Sequence, residues 1–326
     1  MMRNFLLLLM CSALFQSLIL ATANAGERQL GGLDVYVLGH HAYVAGGKNG
    51  LFVIDIRRRA DPKRVATVDT PGEAKGVFAA GNFAYVAAGS AGLQIVGIRN
   101  PADPVIVGSV DTPGDARAVY VFSDYALVAD GQSGLQIISI RDPERPRVVA
   151  AIDTPGEACH VDVAANHAFV ADGRAGLQII DIRRPTDPKI VSSISNLRDA
   201  RSVHVISNHA YVADFAEGIF AVNIRNPSRP QVVGSVKTPG EAQSVYPLYN
   251  LLIVADGSHG LQLIDIRSPG SLRIVGAYAT PGETRSAYGL ASRVYVTGLG
   301  FGLGVFEVID RSRLNANGHF LVDIDR

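Results

Sequence analysis

The chain is poor in the residues that usually announce a chemistry or a partner. It has two cysteines, Cys11 and Cys159, no tryptophan, and no surplus charge, with 30 Lys and Arg against 30 Asp and Glu. That balance removes the electrostatic grip that nucleic acid or an anionic lipid surface demands. No Gly-x-Ser-x-Gly, His-Glu-x-x-His, phosphate-binding loop or dinucleotide fingerprint occurs, so none of the enzyme classes those motifs serve is indicated. The Asp-x-Asp-x-Asp-Gly loop of a calcium site is missing too. Beyond residue 25 no segment carries the apolar period of a helix. What is plentiful is glycine, 34 residues in a chain that is 48% hydrophobic, which is a soluble, turn-rich, all-β profile.

One apolar run is long. Phe5–Leu20 follows Arg3 and precedes Ala23-Asn24-Ala25, the three parts of a secretory signal. Cys11, Ser12, Gln16 and Ser17 interrupt the run, which argues against a membrane anchor. Met10, ahead of Cys11, is not the small residue that a lipoprotein signal wants. Cleavage after Ala25 is expected, giving an exported protein (periplasmic, secreted or on the cell surface) with no membrane span. Arg3 is the only charge lost, so residues 26–326 carry a formal charge of −1. Cys159 then has no intrachain partner, and the mature chain must hold a core large enough to stand without disulfides.

Internal repetition organises everything after the leader. A glycine followed by alternating apolar residues recurs at Gly50, Gly92, Gly134, Gly176, Gly218, Gly260 and Gly302, always 42 residues apart. Each unit reads as four short strands between turns. In the third unit these are Ala118–Phe122, Tyr125–Ala129, Leu135–Ile140 and Arg147–Ile152, separated by Ser, Asp, Gly and Pro. Four strands in about 40 residues is the pattern of a propeller blade. The expected fold is therefore all-β, a seven-bladed β-propeller with four antiparallel strands per blade. It fills 33–326, inner strand first, after a short extension at 26–32. Pro247 falls inside an inner strand and predicts a distortion there. Glu27–Leu30 is a candidate edge strand beside the last blade, whose outer strand is placed at His319–Ile324.

The third strands, such as Leu177-Gln178-Ile179-Ile180-Asp181, resemble the signature of the LVIVD-repeat family. So do the Asp-Thr-Pro-Gly-Glu-Ala links and the Ala-Tyr-Val-Ala-Asp-Gly second strands. The resemblance implies exported or surface-associated propellers, mostly of unassigned activity, and supplies no catalytic residues. Units one, two and seven depart from it, with Gly46, Ala88 and Gly298 where aspartate usually stands.

In a propeller, the outer-to-inner links and the loops between strands two and three share one face. Here that face gathers Glu73, Asp115, Glu157, Asp199, Glu241 and Glu283, the aspartates Asp130, Asp172, Asp214 and Asp256, and the cations Lys75, Arg117, Arg201 and Arg285. Residues that recur in every blade are expected to serve turns and ion pairs. Departures are the better lead, and they cluster in units four and five. The position held by Tyr36, Phe78, Tyr120, Tyr246 and Tyr288 becomes Asp162 and then His204, with His160 beside them. The candidate ligand-binding residues are Glu157, His160, Asp162, Asp172, Asp199, Arg201, His204 and Asp214. No catalytic residue, metal ligand or cofactor is assigned.

Three functions stay open. The leading one is a non-enzymatic binding or scaffold module whose unknown protein partner or small polar ligand docks on the acidic loop face, near units four and five. The alternative is a metal-dependent hydrolase or lactonase-like enzyme at the channel mouth, using His and Asp as acid, base or ligand. A purely structural surface protein is the third.

Overall fold

The computed structural model describes residues 32–58, 62–310 and 313–315. The leader, the Glu27–Leu30 strand and the His319–Ile324 strand all fall outside these residues. Seven four-stranded antiparallel sheets stand in sequence order, and in each the strands neighbour one another as they occur along the chain. The inner strands are Asp34–Leu38, Gly76–Ala80, Ala118–Phe122, His160–Ala164, Ala200–Ile206, Ser244–Leu248 and Glu283–Leu290. Each packs beside the inner strands of both neighbouring blades, so the ring closes with blade 7 against blade 1. Ser286 Oγ donates to Asp34 Oδ1 across that seam at 2.7 Å. No strand is exchanged between blades among the described residues.

Third strands are buried on both faces. Leu135, Ile137 and Ile138 lose all contact with water, because a blade is sandwiched between two others. Each such side chain contributes about 2 kcal/mol of burial. The core is consequently a series of interblade layers, such as Leu127, Leu135 and Ile137 of blade 3 on Val161, Val170 and Ile180 of blade 4. Gln136 is the polar exception at 2% exposure. Its Nε2 donates to Ser133 O at 2.7 Å, tying the preceding loop to the strand. The same bond recurs at Gln94, Gln178 and Gln262. The marker glycine has its own cause: Gly134 has φ +68°, and a Cβ there would meet Ile152 O at 2.3 Å.

The expected distortion at Pro247 does not occur. Ser244–Leu248 pairs in unbroken register, Pro247 opposite Leu252. At the matching position of blade 5 the Val205 N–H points sideways to Asp162 of blade 4 rather than into its own ladder. Proline therefore removes no ladder bond there. In blade 7 the outer position is held by Arg313–Asn315, which pairs with Phe301–Asp310.

Candidate functional site

The loop face is stitched blade to blade. Gly131 and Ala158 exchange both backbone hydrogen bonds, at 3.1 and 2.9 Å, joining the second loop of blade 3 to the start of blade 4. Equivalent bridges join Gly47 to Ala74, Gly89 to Ala116, Gly173 to Ala200 and Gly257 to Thr284. No such bridge joins blade 5 to blade 6 among the described residues, where Phe215-Ala216-Glu217 replaces the glycine turn.

The recurring aspartates hold these loops and do not line the channel. Asp172, fully buried, accepts from Thr154 Oγ1 at 2.6 Å and Gly156 N at 3.0 Å. Asp130 takes the same two bonds from Thr112 and Gly114. Burial pushes the carboxyls of Asp130, Asp172 and Asp256 up from the usual range. Where the aspartate is missing, the threonine turns back on its own link: Thr70 donates to Gly72 O and Thr280 to Gly282 O. Asp214 does more, accepting from the N–H groups of Arg198, Asp199, Ala216 and Glu217 at 2.7–3.0 Å.

Within the ring the inner strands enclose a funnel of about 190 Å³. Larger hollows, of about 510 Å³ beside Arg57 and Lys63 and about 420 Å³ beside Arg141 and Arg147, lie among surface charges away from the inner strands. The funnel floor is the layer of Tyr36, Phe78, Tyr120, Asp162, His204, Tyr246 and Tyr288. Their rings stack in sequence, with centroids 4.6 Å apart for Tyr36 and Phe78 and 4.8 Å for His204 and Tyr246. Asp162 and His204 break the aromatic circle and meet, His204 Nδ1 lying 3.2 Å from Asp162 Oδ2. Asp162 also accepts from Val163 N and Val205 N, both at 2.7 Å. That partner assigns the proton of neutral His204 to Nδ1.

His160 stands one layer above, close enough for Asp162 and His204 to act on its charge. Enclosure lowers its pKa to about 4, His204 adds to the depression, and Asp162 opposes it. Burial lowers His204 as well. Three of the sequence candidates thus converge as a mostly uncharged imidazole pair on one carboxylate. No hydroxyl or thiol hydrogen-bonds to His160 or His204 in the floor among the described residues. Cys159, nearest in sequence, donates to Glu157 O and has its thiol pushed up by burial, so it is not a ready thiolate. Among the described residues no three His, Cys, Asp or Glu side chains are grouped to hold a metal ion.

The mouth divides in two. Lys75 of blade 2 reaches Asp115 of blade 3 at 2.6 Å, and Arg117 of blade 3 binds Asp115 at 3.1 Å and Glu157 of blade 4 at 2.8 Å. Arg117 Nη1 also lies 3.5 Å from Cys159 Sγ. From blade 5 onward the cations fold back on their own blades, Arg201 to Asp199 at 2.6 Å and Arg285 to Glu283 at 2.9 Å. Arg201 also lies over the Phe215 ring, 5.2 Å from its centroid. Arg201 Nε, Gln243 Nε2 and Arg285 Nε are left without a hydrogen-bond partner. Sequence reasoning passed over Gln243, Asp34 and Ser286, although the 42-residue period would have placed all three on the channel.

The LVIVD repeat family model matches residues 32–70, 71–112, 113–154, 155–196, 197–238 and 239–280, six consecutive units. No curated protein matches the chain. Among solved structures it is similar in fold to the computationally designed Ika8 protein, with a TM-score of 0.68, 9% identity, and 91% of this chain and 90% of that one covered. It is likewise similar to Saccharomyces cerevisiae Sqt1, with a TM-score of 0.66, 10% identity, and 89% and 86% covered. The WD40 beta propeller domain of Doa1 gives a TM-score of 0.67 at 11% identity, with 84% and 91% covered.

Proposed function

This chain belongs to the LVIVD-repeat family, and we propose that it is an exported, non-enzymatic binding module that receives a small polar ligand, or a projecting group of a partner protein, in the funnel of its loop face. One observation carries this reading: the period of the repeat is kept while the funnel residues change, giving a walled cavity with polar groups left unpaired at its rim. Four such groups, His160 Nδ1, Arg201 Nε, Gln243 Nε2 and Arg285 Nε, gather in this one lining. The acids form a collar around the mouth, outside the residues that line the funnel. The His204–Asp162 pair has a base and its orienting carboxylate but, among the described residues, no hydroxyl or thiol bonded to it as a nucleophile, which favours binding over covalent group transfer.

Export is part of the proposal and rests on the leader at 1–25. N-terminal sequencing of the exported protein is expected to begin at Gly26. For the binding reading, the mature chain is used to capture partners and small molecules from the exported fraction, beside a variant with the funnel filled, Gln243→Trp. Capture that disappears in the filled variant supports the funnel; capture unchanged by it contradicts the proposal.

A further inference from the structure

The ligand class can be read from the funnel's balance of donors and acceptors, given the reading of the funnel as the binding site. Its lining contains four cationic side chains, Lys75, Arg117, Arg201 and Arg285, against two carboxylates, Asp34 and Asp162. Both carboxylates are already engaged. Asp34 accepts from Val35 N, Val77 N and Ser286 Oγ, and Asp162 from two backbone N–H groups with His204 alongside. A cation entering the funnel would therefore find both carboxylates taken, with the neutral His160 Nδ1 as the one buried acceptor without a partner among the described lining residues.

Donors are in the opposite condition. Lys75 and Arg117 are committed to Asp115 and Glu157. Arg201 and Arg285 each hold one carboxylate, through Nη2, and their Nε groups together with Gln243 Nε2 have no partner. These three side chains occupy one layer in consecutive blades, 5 to 7. A buried donor without a partner is destabilising, and a charged acceptor supplied from outside would remove that penalty. Those nitrogens are shut off from water, so an occupant engages them as the guanidinium groups turn, sharing or exchanging their bonds to Asp199 and Glu283.

We propose that the funnel seats a small oxyanion, a carboxylate or a phosphate, between Arg201, Gln243 and Arg285. A cavity of about 190 Å³ closed below by stacked rings limits the group to a few heavy atoms beyond the anionic head.

Calorimetric titration of the mature chain at low ionic strength tests this with succinate, inorganic phosphate and neutral succinamide. Succinate or phosphate is expected to bind at least tenfold more tightly than succinamide, and whichever of the two wins identifies the source of the anion. Arg201→Gln and Arg285→Gln are each expected to weaken binding tenfold or more, and exposed Arg141→Gln to leave it unchanged. Gln243→Glu, which puts a carboxylate among the donors, abolishes binding while thermal unfolding reports that the chain is folded. Succinamide binding as tightly as succinate overturns the oxyanion, as does a silent titration. The funnel itself is judged separately: if Gln243→Trp still blocks capture from the exported fraction, the funnel reading survives, and if capture persists, both fall.

Discussion

Blades 2 to 4 and blades 5 to 7 place the same kinds of side chain at the mouth of one channel, yet they connect them differently. In the first arc each cation reaches forward to the acid of the next blade, Lys75 to Asp115 and Arg117 to Glu157. In the second, Arg201 and Arg285 turn back to the acid two residues before them. Substitution at the cationic position explains part of this. Blade 4 has Cys159 there and blade 6 has Gln243, so neither can extend the chain of ion pairs. The backbone bridge lost between blades 5 and 6 marks the same change. One arc spends its charge on joining blades. The other keeps donors in reserve, and that is the half in which we propose ligand recognition.

The largest expected effect breaks the comparison at its pivot. Asp214 holds four backbone N–H groups where Asp172 holds one N–H and one hydroxyl. Asp214→Ala is expected to lower unfolding stability by about 4 kcal/mol and Asp172→Ala by about 2, since each buried donor left unpaired costs about 1–3 kcal/mol before water relieves it. Denaturant melts measure both. Equal losses would mean that blade 5 is anchored no differently from its neighbours.

Next come the arginines. Arg117→Met should cost about 1–2 kcal/mol because it strands Glu157 across a seam and leaves Asp115 to Lys75 alone, whereas Arg285→Met should cost less than about 1 kcal/mol, the range of a single half-exposed pair. A reversed order in thermal unfolding would dissolve the distinction between the arcs.

The smallest effect is on pH dependence. Enclosure lowers His160 to about 4, below the 6.5 of an unfolded histidine. Between those values the unfolded chain binds more protons, so stability falls as pH drops through the window. The raised aspartates Asp34, Asp130, Asp172 and Asp256 act in the opposite sense, gaining protons in the folded state as pH falls. The histidine share is isolated by difference: His160→Gln is expected to lose less stability between pH 6.5 and 4 than the parent chain. An identical slope would show that His160 titrates normally.

The period of 42 residues made the blades legible, because every strand is bounded by turn chemistry that repeats with it. In the third unit the strand ends agree with the sequence reading to one residue, at Ile140. The meeting of Asp162 with His204 was legible for the same reason: equal positions in adjacent blades must lie in one layer. Two things were not. Periodicity says which residues share a layer but not which neighbour a long side chain chooses, so the forward reach of Arg117 and the backward fold of Arg285 needed coordinates. It also drew attention to acids that recur, and Asp172 and Asp214 proved to be loop anchors away from the funnel. The end of the last blade was the least legible part, because the repeat decays beyond Phe306 and leaves no turn signal to register Arg313–Asn315.

Hydrogen exchange of the mature chain, with and without saturating succinate or phosphate, tests the division of the channel most directly. The account predicts added protection on the inner strands Ala200–Ile206, Ser244–Leu248 and Glu283–Leu290, and none on Gly76–Ala80 or Ala118–Phe122. Protection spread evenly around the ring, or confined to the opposite face, would contradict it.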